Sequence, residues 1–286
     1  MPAQEETTRN RVALVTGANA GIGRETCRGL AQAGMEVVMV SRDKTRGEEA
    51  LADVQSSTGN RKLHLMVADL SSQSSIRQLA KEVLERFPKL HVLINNAAVI
   101  TSERELTEDG IERQLAVNHL APFLLTNLLL ARLKHSAPAR IINVSSQMHQ
   151  RTGLDFDNLQ GEKSYHPRKI YAQTKLANVL FTKELSRRLK GTGVTANALH
   201  PGTVATGLFG RFLGLPRWLR FLSDWYGISP EQGAETSIYL ATSPEVENTT
   251  GEYFRKSKPI PCNPIANDEQ LAARLWEVSE ELTGCR

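Results

Sequence analysis

The sequence predicts an α/β fold, an open, doubly wound parallel sheet of about seven strands with helices on both faces. Three observations predict it. Short apolar runs alternate with longer amphipathic stretches along the 286 residues, and such β-α-β-α order means a parallel sheet with crossover helices. The runs are nearly continuous in apolar residues, as strands covered on both faces are. The first run feeds directly into a glycine-rich turn that opens a helix.

Val12-Ala-Leu-Val-Thr16 is the first strand, and its helix spans about 21–33. Met35–Val40 follows with a helix over 44–57, then Leu63–Val67 with a helix over 72–87. Leu90–Ile94 precedes a long helical pattern at 111–135, and Arg140–Val144 precedes one at 168–190. Val194–Leu199 and a helix at 230–242 lead to a last short strand, Gly251–Phe254. A helix at 268–282 lacks a following strand and belongs to a C-terminal extension, 255–286. No linker, repeat or low-complexity tract interrupts the pattern, so residues 1–286 read as one domain.

Hydrophobic residues make up 40% of the chain. With glycine that share reaches the globular range and excludes a disordered or fibrous chain. The net charge of +4 suits an anionic ligand and is too scattered to call for nucleic acid. Cys27, Cys262 and Cys285 lie far apart, with neither metal-ligand nor disulfide-framework spacing. Met1–Asn10 holds no apolar run, and no stretch approaches the length of an uninterrupted apolar span. A soluble, cytoplasmic protein without a metal is therefore expected.

Sheets of this kind bind ligands beyond the carboxyl ends of their strands. There the first strand runs into Thr16-Gly-Ala-Asn-Ala-Gly-Ile-Gly23. Gly17, Gly21 and Gly23 permit a tight turn and close approach of backbone N–H groups to a pyrophosphate, with Asn19, Ala20 and Ile22 between them. A glycine triplet alone marks many ordinary turns; the strand before it and the helix after it make this one a dinucleotide cradle. Asp43 follows at the distance from which an acid holds ribose hydroxyls. The placement of Ser41 and Arg42 argues otherwise. A small residue followed by a guanidinium suits a 2′-phosphate, with Arg46 adding charge, so NADP(H) is the expected cofactor.

Tyr171 and Lys175 are spaced to share one face of a helix. An ammonium near a phenol lowers the phenol's pKa, and such a phenol exchanges a proton with an alcohol or carbonyl oxygen. Ser146, at the end of the fifth strand, can hydrogen-bond that oxygen, and the lysine can hold ribose hydroxyls. By itself a Tyr–Lys pair is as readily a surface contact.

The glycine turn, Asn95-Asn96-Ala97-Ala98, Ser146, Tyr171-x-x-x-Lys175 and Pro201-Gly202 stand in the order of short-chain dehydrogenases/reductases. Over about residues 10–255 the chain resembles that family and its single Rossmann-type domain. Three segments are similar to the retinol dehydrogenase-like branch: Val117–Thr126, Lys175–Phe181 and Leu275–Ser279. The long gap between Ser146 and Tyr171 is similar too. The resemblance implies Tyr171 as general acid/base, Lys175 as its tuner and nicotinamide-ribose ligand, and Ser146, rather than Ser145, as the substrate-orienting serine. It implies that Asn118 supports a proton path from the lysine. Asp69 and Leu70 match the adenine-binding pair. Asn95 matches a residue lining the cofactor near its ribose, with Asn96 and Ala97 beside it. Pro201, Gly202, Val204 and Thr206 match the segment along the nicotinamide.

After Pro216, the residues Trp218, Phe221, Leu222 and Trp225 fall on one helical face. The resemblance places a substrate lid at 208–227. Its aromatic face suits a lipophilic carbonyl or alcohol substrate, peripheral contact with a membrane surface, or plain core packing. A homodimer through the helices near 111–135 and 168–190 is expected by analogy. Retinol dehydrogenase-like enzymes often begin with a hydrophobic anchor that Met1–Asn10 lacks, which favours a carbonyl reductase. A non-catalytic NADP(H) sensor on the same fold is the competing reading, since fold does not fix function.

Overall fold

The computed structural model describes residues 10–202 and 228–285. The core around its central strands is split in two by the alternation of side chains along them. In β1 (Val12–Thr16), β2 (Glu36–Ser41) and β4 (Val92–Asn95), Val12, Leu14, Val38, Val40 and Leu93 enter one apolar cluster. Ala13, Val15, Val37, Met39, Val92 and Ile94 enter the other, because neighbouring residues on a strand point to opposite faces. Both clusters are covered by helices, so the strand interiors are apolar on both faces and the runs look nearly continuous in sequence, with polar residues such as Thr16, Ser41 and Asn95 at the strand ends.

The sheet order is β3-β2-β1-β4-β5-β6-β7-β8, with β3 at Leu63–Val67, β5 at Ala139–Val144, β6 at Val194–His200, β7 at Tyr253–Arg255 and β8 at Lys258–Pro259. β1 to β7 are parallel, and β8 pairs antiparallel with β7. This eighth strand exceeds the seven expected. Its hairpin turns on Lys256 and Ser257, both with positive φ, a two-residue loop usually marked by Asn or Gly. Neither is present, so the turn left no sequence signal.

On one face lie α1 (Gly21–Gln32), α2 (Lys44–Thr58) and, later in the chain, Pro230–Thr242. On the other lie α3 (Gln73–Arg86), α4 (Arg113–His135) and α5 (Pro167–Arg188). The helix Pro230–Thr242 is α6; its start is set by a capping box between Ser229 and Gln232. The C-terminal helix α7 (Glu269–Thr283) starts at an Asp268 cap and stops at left-handed Gly284.

α4 occupies the helical stretch expected at 111–135 but is not a uniform α-helix. Pro122 sits inside it, and residues Ala116–Leu120 form a π turn just before. Proline has no N–H and crowds the carbonyl four residues back, so the helix widens there. By length and composition α4 could cross a membrane, but 78% of its most apolar window is buried in the fold. α7 covers part of the α4 and α5 surfaces expected to pair in a dimer: Trp276 packs edge-on to Phe123 at 4.9 Å and tilted against Phe181 at 5.7 Å.

Strand order reverses between β1 and β4, so the chain leaves these neighbours in opposite directions and opens a crevice above their carboxyl ends. The chemistry expected from the sequence converges on that crevice and its continuation along β5 and β6.

Candidate active site

β1 delivers Thr16 to the crevice, where its hydroxyl accepts hydrogen bonds from the backbone N–H groups of Asn96 (3.0 Å) and Ala97 (3.1 Å). Asn96 Nδ2 donates back to Thr16 O at 2.8 Å. These bonds lock the glycine turn to the end of β4. Gly17 and Gly21 both have positive φ, which only glycine adopts without strain. At Gly23 a Cβ would lie 2.2 Å from Gly17 O and 2.6 Å from Asn96 Nδ2. α1 then begins at an Ala20 cap with no side-chain bond and no acid in its first turn. Its first N–H groups are therefore left for an anion, as a dinucleotide pyrophosphate requires.

At the end of β2, Ser41 is buried and donates to Asp43 O at 2.8 Å. Asp43 accepts from Arg46 N at 3.0 Å and so caps α2. Arg42 and Arg46 are exposed, and neither guanidinium bonds another described residue. Asp69 accepts from Ser71 N (2.9 Å) and Ser71 Oγ (2.7 Å), which shapes the turn after β3. Leu70 packs against the core beside it.

Asn95 departs from expectation. Its side chain points into the core, with Nδ2 donating to Asn143 Oδ1 at 2.8 Å and Thr126 Oγ1 at 3.1 Å. It ties β4 to β5 and α4 instead of presenting its amide to a ribose.

β5 ends in two serines with different tasks. Ser145 is buried and donates to Lys175 O at 2.7 Å, anchoring α5 to the sheet. Ser146 is partly exposed, caps a short 3₁₀ turn at Gln147–Arg151, and shares a side-chain hydrogen bond with Tyr171. One helical turn on, Lys175 Nζ donates to Val144 O at 2.9 Å and lies 5.5 Å from the centre of the Tyr171 ring.

Burial dominates the electrostatics of this pair. It pushes the Tyr171 phenol above its ordinary range, opposed by the bond from Ser146. It pushes the Lys175 ammonium down to about 7. The expected lowering of the phenol is thus reversed here, because the solvation lost by a buried phenolate outweighs the bond from Ser146.

Asn118 lies in the π turn. Its Nδ2 donates to Val99 O (2.9 Å) and to Thr174 Oγ1 (3.2 Å), and its Oδ1 accepts from Val99 N (2.7 Å). It therefore braces the loop after β4 against the stretch of α5 between Tyr171 and Lys175. The long stretch before Tyr171 is anchored separately. Tyr165 Oη meets Thr101 Oγ1 at 2.6 Å, Gln114 Nε2 at 2.7 Å and Glu112 Oε1 at 3.0 Å.

Pro201 and Gly202 stand at the mouth of β6, Gly202 with φ of +97°. Val204, Thr206, Trp218, Phe221 and Leu222, and with them the lid at 208–227, lie outside the described residues. His149 is a packing residue: Nδ1 meets Ser146 O at 2.7 Å, and Nε2 accepts from Asn263 N at 3.2 Å. The sequence reading missed the structural role of Ser145 and the π turn. Pro122 inside a helical pattern was the available signal for the latter.

The chain belongs to the short-chain dehydrogenase family, whose family model matches residues 11–212. It is 46% identical to human retinol dehydrogenase 11 over 274 residues, 96% of this chain and 86% of that protein. A solved structure of an uncharacterized protein from Mycobacterium paratuberculosis superposes with a TM-score of 0.78 at 33% identity, covering 97% of this chain and 95% of the other. An NAD(P)-dependent gluconate 5-dehydrogenase from Beutenbergia cavernae, solved with bound NADP, superposes at 0.70 with 25% identity, covering 87% and 95%. The chain is an oxidoreductase of the retinol dehydrogenase-like branch.

Proposed function

We propose that this oxidoreductase uses NADP(H) to interconvert an alcohol and an aldehyde or ketone, with a lipophilic, retinoid-like or long-chain substrate. The hydrogen bond between Ser146 and Tyr171 beside Lys175 carries the reading. It places a proton donor and an oxygen-orienting hydroxyl together, next to a cradle that a dinucleotide fits.

The glycine turn and the open start of α1 would hold the pyrophosphate, Asp69 and Leu70 would flank the adenine, and Arg42 and Arg46 would face the 2′-phosphate. Lys175 would reach the nicotinamide ribose, and Pro201, Gly202, Val204 and Thr206 would line the nicotinamide. A bound nicotinamide supplies or accepts the hydride. Tyr171 supplies the proton. Burial keeps its phenol protonated, which suits donation to a carbonyl oxygen in reduction. Ser146 Oγ hydrogen-bonds the same oxygen and orients it. Lys175, titrating near neutrality, returns a proton toward Tyr171, and Asn118 keeps the adjoining turn of α5 in place. The residues of 208–227, with Trp218, Phe221 and Leu222 among them, would cover the substrate or contact a membrane surface.

The names of the relatives support a retinoid or similar lipid-like substrate. The test is NADPH consumption by the purified chain against aldehydes and ketones graded by chain length, with all-trans-retinal among them. Turnover should rise with chain length. Zero turnover across the series, with NADPH still bound, would replace this reading with that of an NADP(H) sensor.

A further inference from the structure

Pro122 cannot donate to the Asn118 carbonyl four residues before it. That carbonyl instead accepts from Asn178 Nδ2 at 2.8 Å. Asn178 lies on α5 at the i+7 position from Tyr171 and i+3 from Lys175, so the three share a face. With Nδ2 committed to Asn118, Asn178 turns Oδ1 toward His119 Nδ1, 3.3 Å away. An amide oxygen only accepts, so His119 carries its proton on Nδ1 and leaves Nε2 as an acceptor. Nε2 lies 2.9 Å from Ser279 Oγ on α7. Asn118, His119, Asn178 and Ser279 are all fully buried.

We propose that Asn178, His119 and Ser279 are positioning residues, through which the C-terminal helix holds the π turn of α4 against the catalytic face of α5. The chain of bonds does not stop at Asn178. Through Asn118 it reaches both backbone polar groups of Val99, just past the cofactor cradle. It also reaches Thr174, whose hydroxyl donates to Tyr171 O at 2.8 Å. One hydrogen-bonded path thus joins α7 to the two surfaces that must meet around cofactor and substrate. Apolar side chains would fill this interior without the desolvation cost of four polar groups. Their arrangement gives direction instead, because each bond has one orientation and each missing partner strands a buried polar group. The Ser279 hydroxyl also lies 2.7 Å from Leu275 O, so Leu275 O and His119 Nε2 compete for its one proton.

This rests on the NADP(H)-dependent function proposed above, and the experiment separates the two. The full chain is compared with Ser279→Ala, Ser279→Thr and Asn178→Leu for NADPH-dependent reduction of all-trans-retinal, and for amide hydrogen exchange at Val99 without ligand. Misplacement of reacting groups by a fraction of an ångström predicts that kcat falls about tenfold in Ser279→Ala and further in Asn178→Leu, with KM for NADPH unchanged. Ser279→Thr restores kcat, and the Val99 N–H exchanges faster in both damaged variants. Should Asn178→Leu fail to fold, Ser279→Ala and its threonine rescue decide. A lower melting temperature with unchanged kcat, or unchanged Val99 exchange, overturns the proposal. If the unaltered chain does not turn over, the proposed NADP(H)-dependent reduction of a retinoid-like carbonyl fails, while Val99 exchange still decides the positioning role.

Discussion

The Asp43 carboxylate accepts a hydrogen bond from the backbone N–H of Arg46 at 3.0 Å. The acid best placed in sequence to hold ribose hydroxyls is thereby engaged as the cap of α2. Two exposed guanidinium groups, Arg42 and Arg46, remain at the same strand end. Arg42→Ala is expected to lower the preference for NADPH over NADH by about tenfold or more, the loss of one charge-assisted phosphate contact. Asp43→Ala is expected to leave that preference intact and cost about 0.5–2 kcal/mol of stability. Parallel titrations with both cofactors check the first, and urea unfolding the second. An unchanged preference in Arg42→Ala would remove the basis for choosing NADP(H).

Gly23→Ala is expected to be the most damaging of the glycine substitutions in the cradle. The new Cβ would meet backbone, Gly17 O at 2.2 Å, and backbone cannot swing aside as a long side chain can. Either α1 moves away from β1 or the turn deforms. Overpacking of this kind costs about 1–3 kcal/mol, and NADPH affinity should fall with it. Fluorescence titration of NADPH together with a thermal melt gives both numbers.

Tyr171→Phe removes the phenol hydroxyl, the proposed proton donor, and its bond to Ser146 while keeping the ring beside Lys175. Turnover should fall by about 10²–10⁴-fold, the usual worth of general acid–base catalysis, with NADPH binding retained. Ser146→Ala should also lose turnover. Ser145→Ala should act differently, lowering stability by about 1 kcal/mol through the lost bond to Lys175 O. Equal kinetic losses in the two serine variants would show that their roles are not divided as the geometry divides them.

Acid should destabilise the protein before its carboxylates titrate. Burial pushes His119 down to about 4, and burial with the nearby Arg255 and His149 pushes His200 down to about 4. Between these values and the ordinary 6.5, the unfolded chain binds protons that the folded chain refuses. Stability is therefore fully present above that window and falls as pH drops through it. The urea midpoint should decline from about pH 7 to about pH 5, and less steeply in His200→Leu, which removes one of the refused protons. An equal slope in that variant would refute the assignment for His200.

Much of the fold was legible because its signals are local. β1 through β6 follow from apolar runs, their order along the chain from alternation with helices, and the cradle from glycines placed between a strand and a helix. The strand at Leu90–Ile94 is observed at Val92–Asn95, a shift of one or two residues within the same apolar run. β8 was illegible because its turn uses Lys256 and Ser257 in a conformation that their types do not announce. The π turn announced itself only through Pro122.

The site was legible to a different depth. Ser146, Tyr171 and Lys175 were identifiable from residue type, spacing and resemblance, and the structure brings them together. The direction of the tyrosine's pKa was not identifiable, since it depends on how completely α5 is buried. Nor was the inward turn of Asn95, which a partner on β5 and another on α4 dictate.

The sequence by itself determined the class of fold, the cofactor turn and the identity of the groups that can exchange a proton. Those are properties of short segments, where steric rules, periodicity and chemical type act within a few residues. Only the tertiary structure decided which polar groups face the crevice and which serve as ties: Ser146 outward and Ser145 inward, Asp43 on a helix cap, Asn118 bracing Val99. Each of those choices is made by a partner distant in sequence, because a buried polar group goes where its hydrogen bond can be satisfied.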